Sequence, residues 1–189
     1  MSSPRKTLDD VLGDAQKWGT LGRRSISEVI SHARQFVAPL AGCAGPVIDI
    51  GTGAGVPGLV IAVDRPELRL VLTDRRATRM DALRRGVIAM GLADRVEVVT
   101  ADVDDLGRDP DHSGRYEAVV SRGFGPPDLT LRLATPLATP GGMIVISEPP
   151  SDHPDRWKKT ELLDGLGLTL IRDFPGVVVF RLSKSSTLG

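Results

Sequence analysis

The sequence predicts an α/β fold: a doubly wound, mostly parallel sheet of Rossmann-like type, with an N-terminal helical cap and a C-terminal antiparallel hairpin. Three observations predict it. From residue 46 onward, apolar runs alternate with stretches of helical period, which is typical of a parallel sheet covered on both faces. The apolar runs are nearly continuous Val, Ile and Leu, as strands buried on both faces require. A glycine-rich turn follows the first run.

Five parallel strands and one hairpin are predicted in chain order. Each strand is a short apolar run, rich in β-branched residues and bounded by turn signals. The five runs lie at 47–50, 69–74, 96–102, 116–122 and 143–148. Two further runs flank Pro175 and Gly176, and this turn predicts the antiparallel hairpin.

Helices are predicted between the strands and before them. Pro57 and Gly58 open one helix, since proline is tolerated in a first turn. Another covers 76–91 and stops at Gly91, because its apolar residues recur at helical spacing up to that glycine. We therefore divide the chain into three segments. They are a helical cap at 1–45, an α/β domain at 46–183 and a disordered tail at 184–189.

Composition limits the classes of function. The chain has 189 residues, enough for one substantial core, with 24 Lys and Arg against 24 Asp and Glu. A nucleic-acid partner would therefore need a local basic patch. Cys43 is the only cysteine, which excludes an internal disulfide and a cysteine-built metal site. The N-terminus has no secretion signal and no run is long enough to span a membrane, so we expect a cytoplasmic protein.

The segment DIGTGAGVPG at 49–58 fits two cofactor patterns. Gly53, Gly55 and Gly58 satisfy the dinucleotide pattern G-x-G-x-x-G. Asp49 with Gly51, Gly53 and Gly55 satisfies the acidic-x-G-x-G-x-G pattern of S-adenosylmethionine enzymes. Both patterns use glycine so that the backbone turns sharply and a ligand approaches it closely. Either ligand would lie beyond the carboxyl end of the first strand.

The remaining sequence favours S-adenosylmethionine. Asp74, at the end of the second strand, suits the ribose of either cofactor. The chain after residue 150 is too short for a separate nicotinamide substrate domain, and TAD at 100–102 offers a position for adenine. The fold predicted is therefore that of a class I methyltransferase. The cofactor contacts proposed from these residues are Asp49, Gly51, Gly53, Ala54, Gly55, Asp74, Arg75 and Asp102.

Several segments resemble one family. They are DIGTGAGVPG, RPE (65–67), VLTDRRATR (71–79), VVSRGF (119–124) and ATPGG (138–142). Over 46–146 the chain resembles the bacterial small-subunit rRNA guanine-N7 methyltransferases, also called the glucose-inhibited division protein B family. The resemblance implies S-adenosylmethionine as cofactor and small-subunit rRNA or a ribosomal particle as partner. By position, it also implies cofactor contacts from Val56, Val103, Asp104 and Arg122.

Guanine N7 is an acceptor whose chemistry agrees with the sequence. Its free lone pair needs no general base, and no His, Cys or Tyr lies near a cofactor-facing strand end. Arg122 is predicted to orient the base through guanine O6, the usual arginine partner on that edge. A salt bridge from Arg122 to a carboxylate is the alternative. The acidic group Asp102, Asp104 and Asp105 is interpreted as adenine-side rather than as a metal site.

Guanine N7 of small-subunit rRNA is the predicted methyl acceptor, and a small molecule is the alternative that stays open. In the family a lysine usually lies in the strand after P-G-G, whereas this chain has Glu148 at that position. Around His32 the sequence HARQF also departs from the family's usual H-x-x-D-S. These departures and the neutral charge favour a small-molecule acceptor, while the S-R-x-F segment favours rRNA. The sequence leaves the oligomeric state undecided.

Overall fold

The computed structural model describes residues 4–148, 157, 159–171 and 174–184. The strands are β1 (Val47–Ile50), β2 (Leu70–Asp74), β3 (Val96–Thr100), β4 (Tyr116–Ser121), β5 (Ala138–Ser147), β6 (Leu168–Ile171) and β7 (Val177–Leu182). The helices are α1 (Leu8–Lys17), α2 (Ile26–Arg34), α3 (Gly58–Asp64), α4 (Ala77–Met90), α5 (Val103–Arg108), α6 (Pro127–Ala134) and α7 (Thr160–Leu166). Of the predicted tail, residues 185–189 lie outside the described part of the chain.

The strands form one sheet in the order β3-β2-β1-β4-β5-β7-β6. β1 to β5 are parallel, and β7 runs antiparallel to both β5 and β6. This confirms the doubly wound sheet and the C-terminal hairpin. The strand order reverses between β1 and β4, and ligands of open α/β sheets bind beyond the strand ends at such a point.

The largest differences from the predicted elements lie at β5 and around α5. β5 begins at Ala138, five residues before the predicted start, because Ala138 pairs with Tyr116 before the register shifts to Ala118 opposite Met143. The glycines at 141 and 142 therefore lie inside β5. α5 was not predicted; it begins where the Asp102 side chain accepts a hydrogen bond from the backbone N–H of Asp104, and β3 ends two residues early.

The N-terminal helices begin at capping boxes and pack on the sheet. Thr7 with Asp10 caps α1, and Ser25 with Glu28 caps α2, so each helix start satisfies two backbone N–H groups. Their apolar faces join the core that covers one side of the sheet, together with α3 and α4. In this way the cap is held over the carboxyl ends of the central strands.

Strand alternation assigns the β1 side chains to opposite faces. Ile48 and Ile50 pack in the core on the α5 and α6 side, whereas Val47 packs with the cap helices, α3 and α4. Asp49 therefore lies on the same face as Val47, beneath the start of α3. Among the described residues, no helix has the length and apolarity needed to cross a membrane.

Candidate cofactor cavity and acceptor groove

The loop after β1 is shaped by three glycines with positive φ. Gly51, Gly53 and Gly55 have φ of 66°, 58° and 92°, a region that L side chains rarely adopt. A Cβ at Gly51 would lie 2.6 Å from Cδ2 of Phe124, and one at Gly55 would lie 2.7 Å from Cδ1 of Leu59. A Cβ at Gly53 would meet no atom closer than Nη1 of Arg79, at 3.8 Å. Gly53 therefore presents bare backbone to open space.

That open space is a cavity of about 490 Å³, which we call the cofactor cavity. Its size falls within the usual range for small-molecule sites. It lies at the carboxyl ends of β1, β2, β3 and β4, where the strand order reverses. The cap contributes Thr20, Leu21 and Gly22, and α6 contributes Leu129 and Leu133.

Most of the residues predicted to bind the cofactor meet at this cavity. Nine of them line it: Gly51, Gly53, Ala54, Val56, Asp74, Arg75, Asp102, Val103 and Arg122. Three lie beside it: Asp49, Gly55 and Asp104. Gly55 packs against Leu59 and Leu83, and the Asp104 carboxylate forms an ion pair with Arg108 at 2.7 Å, one turn along α5.

Asp49 supports the loop from below instead of facing the cavity. Its Oδ2 accepts hydrogen bonds from Thr52 Oγ1 at 2.6 Å and from the Gly58 backbone N–H at 2.8 Å. These bonds tie the end of β1 to the start of α3. Burial raises the pKa of the Asp49 carboxyl to about 7, although the two hydrogen bonds and the charge of Arg122 oppose the shift.

Asp74 and Asp102 are held in the same way at neighbouring strand ends. Asp74 Oδ1 accepts from the backbone N–H of Arg76 at 3.0 Å, and Asp102 Oδ1 accepts from that of Asp104 at 3.1 Å. In each carboxylate the second oxygen has no hydrogen bond to the described residues. Two oriented carboxylate oxygens are therefore available to accept hydrogen bonds from ligand hydroxyl or amino groups.

A second, larger cavity of about 900 Å³ adjoins the first, and we call it the acceptor groove. The border between the two is formed by residues that line both: Leu21, Gly22, Arg122, Gly123 and Phe124. Beyond that border the groove runs between the cap and the end of β5. Its polar lining there includes Arg23, Arg24, His32, Gln35, Ser147 and Glu148.

Among the described residues, the charged groups of the groove have no ionic partner. The half-buried Arg122 guanidinium makes no hydrogen bond or ion pair with these residues, so the alternative salt bridge is absent from that part of the chain. Burial lowers the pKa of Arg122, and the nearby charge of Asp49 opposes this shift. The side chains of Arg23, Arg24 and Glu148 also lack ionic partners among the described residues.

Sequence reasoning missed the contribution of the cap to this groove. Arg23 and Arg24 precede the N-cap Ser25, and only their adjacency could have marked them. His32 also lines the groove from α2, although no histidine was expected near these strand ends. Within the described ranges no group of three or more His, Cys, Asp or Glu residues could hold a metal ion.

Comparison with known proteins gives a family match over most of the chain. Residues 15–160 match the model of the family GidB, described as rRNA small subunit methyltransferase G. A relative from Rhizorhabdus wittichii, named ribosomal RNA small subunit methyltransferase G, is 39% identical over 100 residues. These residues cover 52% of this chain and 44% of the relative. The chain thus spans about half the length of the relatives it matches.

Solved structures show the fold. A candidate S-adenosyl-L-methionine-dependent methyltransferase from Methanococcus maripaludis superposes with a TM-score of 0.64 at 16% identity, covering 100% of both chains. The cyclase SpnF superposes with a TM-score of 0.62 at 18% identity, covering 86% of this chain and 68% of its own. Since these two proteins are named for different reactions, the superpositions establish a class I methyltransferase fold but do not identify the reaction.

Proposed function

The chain belongs to the rRNA small subunit methyltransferase G family, and from this premise we propose that it transfers a methyl group from S-adenosylmethionine to guanine N7 of small-subunit rRNA. The observation that carries the proposal is the border at Arg122 and Phe124. There, a cavity with a bare glycine loop opens directly into a groove whose cationic side chains have no ionic partner among the described residues.

The cofactor cavity fits S-adenosylmethionine by its hydrogen-bond acceptors. We assign the ribose hydroxyls to the free oxygen of Asp74 and the adenine amino group to Asp102, with Val103 and Ala101 as apolar contacts. The bare backbone at Gly53 accommodates the methionine moiety. When bound, the cofactor supplies a methyl group on a positively charged sulfur, a good leaving group. The protein's task is then positioning and exclusion of water rather than proton transfer.

Arg122 is the residue we assign to acceptor orientation. It lines both cavities, and its guanidinium is free to donate to guanine O6. Because N7 must remain available for attack, Arg122 holds the neighbouring oxygen instead of N7 itself. Guanine N7 has no proton to remove, so the site needs no general base. Phe124 at the same border offers an aromatic face on which an unstacked base can lie.

RNA is the acceptor class that we favour over a small molecule. Exposed Arg23 and Arg24 lie on the groove, where they suit phosphate groups flanking the target base. A small acceptor would fill only part of a cavity of about 900 Å³. The match to the rRNA methyltransferase family points the same way. A ribosomal substrate also agrees with a cytoplasmic location.

The test is methyl transfer from labelled S-adenosylmethionine to small subunits, and to their purified RNA, taken from cells that lack the modification. We expect label in the RNA, recovered as 7-methylguanosine after digestion. Absence of label from naked RNA, small subunits and assembly intermediates would contradict the proposal, provided that cofactor binding is intact. A small-molecule acceptor would then take its place.

A further inference from the structure

A third cavity, of about 270 Å³, lies between α1 and α4, and we call it the helix pocket. The reaction gives it no role. Its walls are mainly apolar: α1 contributes Val11 and Ala15, and α4 contributes Leu83, Gly86 and Ala89. A Cβ at Gly86 would lie 2.7 Å from Cγ1 of Val11, so the two helices are in direct contact beside the pocket.

An exposed aromatic ring lies at the edge of the helix pocket. Trp18 directly follows α1, and it lines the pocket although it is 58% exposed. The other tryptophan of the chain, Trp157, is buried. Trp18 lines neither the cofactor cavity nor the acceptor groove. An indole at the edge of an apolar cavity offers a flat face on which a planar ligand can stack.

Two arginines of α4 line the same pocket. The side chains of Arg79 and Arg85 have no hydrogen bond or ion pair with the described residues. The adjacent Arg84 does not line the pocket; it pairs with Asp81 at 2.8 Å and donates to the carbonyl oxygen of Val98 at 3.0 Å. The charge of Arg84 is therefore used within the protein, whereas the charge at the pocket is available to an anionic ligand.

The other polar groups of the pocket are already bonded. The Asp14 carboxylate accepts from Lys6 Nζ at 2.6 Å and pairs with Lys17 at 3.4 Å. The Thr20 hydroxyl donates to the carbonyl oxygen of Ala15 at 3.0 Å. The pocket thus offers an aromatic face and positive charge, a combination that binds the bases and phosphates of single-stranded nucleic acid with little sequence preference.

One short segment of the cap borders all three cavities. Trp18 and Thr20 line the helix pocket, residues 20–22 line the cofactor cavity, and residues 21–24 line the acceptor groove. Six residues of chain span at most about 22 Å. An RNA strand of a few nucleotides that lies along this segment can therefore reach from the groove to the helix pocket.

We propose that the helix pocket binds the base of a second nucleotide in the RNA strand whose guanine enters the acceptor groove. The base stacks on Trp18, and the adjoining phosphate pairs with Arg85. This inference rests on the proposed function, which supplies the RNA. Because the free groups of the pocket suit a ring face and a phosphate, the second base is held with little preference among the four.

The test measures binding of a short fluorescent single-stranded RNA by anisotropy, with the protein saturated with S-adenosylhomocysteine so that the cofactor cavity is filled. Trp18→Ala should weaken binding roughly tenfold through the loss of stacking. Trp18→Phe keeps an aromatic ring and should recover most of the affinity. Ile88→Ala is the control for lost apolar surface, because Ile88 is 62% exposed on α4 and does not line the pocket. Cofactor affinity should be the same in all three variants.

A second measurement concerns the phosphate contact. Arg85→Ala should lower the slope of log RNA affinity against log salt by about 0.7, the contribution of one phosphate contact on a single strand. Arg84→Ala removes an equal charge next to it in sequence and should leave the slope unchanged.

Four results overturn the inference. They are absence of RNA binding to the wild-type protein, an RNA affinity that Trp18→Ala leaves unchanged, a loss that Ile88→Ala shares, and a salt slope that Arg85→Ala leaves unchanged. Methyl transfer to small-subunit RNA is assayed in parallel. Transfer without Trp18-dependent binding contradicts this inference alone, whereas Trp18-dependent binding without transfer contradicts the proposed function alone.

Discussion

The cofactor cavity and the acceptor groove differ in how their charged groups are held. In and beneath the cavity, Asp49, Asp74 and Asp102 each accept a hydrogen bond from a backbone N–H at the start of the helix that follows. In the groove, Arg23, Arg24, Arg122 and Glu148 have no side-chain partner in the described part of the chain. The cavity is therefore built for a small ligand before that ligand arrives, whereas the groove depends on its substrate to pair its charges.

The largest effect is expected from filling the cavity. Gly53→Val places a branched side chain where a Cβ now meets only open space, at a φ of 58° that such residues avoid. We expect calorimetry to show at least roughly a hundredfold loss of S-adenosylmethionine affinity. The matched control is Gly114→Val, because Gly114 has a φ of 66° and open surroundings away from the cavity. Equal losses in both variants would attribute the effect to backbone strain.

Arg122 borders both regions, so Arg122→Ala should show whether it acts on the RNA substrate or on the cofactor. If its main task is to orient the base, kcat on small-subunit RNA should fall by roughly a hundredfold, the cost of a misplaced reactant. The dissociation constant of the cofactor should change much less. Arg122→Lys keeps the charge without the planar donor fork and should recover little activity. A parallel loss of cofactor affinity and turnover would make Arg122 a cofactor residue only.

Asp74→Ala should weaken cofactor binding without abolishing it. Removal of the carboxylate deletes its hydrogen bonds to the ribose, and we expect a loss of about 1–2 kcal/mol in cofactor binding. Asp81→Ala is the control, since Asp81 is an exposed acid that pairs with Arg84 on α4. An unchanged affinity in the Asp74 variant would show that another residue contacts the ribose.

The buried carboxyl beneath the loop predicts a pH dependence of stability. The pKa of Asp49 is raised from its ordinary 3.8 to about 7 in the folded protein. Between these values the folded state keeps a proton that the unfolded state has lost. The contribution of Asp49 to the free energy of unfolding therefore falls as pH rises from 4 to 7, by up to about 1.4 kcal/mol per pH unit. In chemical denaturation between pH 4 and 7, the free energy of unfolding should fall less steeply with pH for Asp49→Asn than for the wild-type protein. Identical pH dependences would contradict the raised pKa of Asp49.

The smallest effect concerns the exposed arginines of the groove. Each phosphate contact contributes roughly 0.7–0.9 to the slope of log affinity against log salt. The double variant Arg23→Ala, Arg24→Ala should therefore lower that slope by about 1.5 for RNA binding, measured as salt is raised. Lys17→Ala with Arg69→Ala changes two cationic residues that do not line the groove, and it should leave the slope unchanged. If the groove variant also leaves the slope unchanged, Arg23 and Arg24 do not contact the RNA phosphates.

The same two regions also differ in how well the sequence predicts them. The cavity is formed by the carboxyl ends of parallel strands, and Gly53, Asp74 and Asp102 each end or closely follow a predicted strand. Their positions at the cavity could therefore be predicted from the sequence. Asp49 shows the limit of this reasoning. It belongs to the glycine pattern, yet strand alternation turns its side chain beneath the loop, where it bonds to Gly58.

The groove was harder to predict because it joins parts of the chain that are far apart. Arg23 and His32 reach it only through the packing of the cap on the sheet, and no local pattern fixes that packing. Glu148 is a departure from the family in sequence, but its place in the lining of the same groove as Arg122 became evident only from the structure. The small-molecule interpretation of Glu148 is not favoured by the family match.

We propose that a preformed cofactor cavity works beside a groove that only the RNA completes. Calorimetric titration of S-adenosylmethionine into the wild-type protein and into the variant Arg23→Ala, Arg24→Ala tests it most directly. We predict the same cofactor affinity in both proteins, no binding of NAD to either, and RNA binding that is weakened only in the variant. A cofactor affinity that falls together with RNA binding, or binding of NAD to the wild-type protein, would contradict the claim.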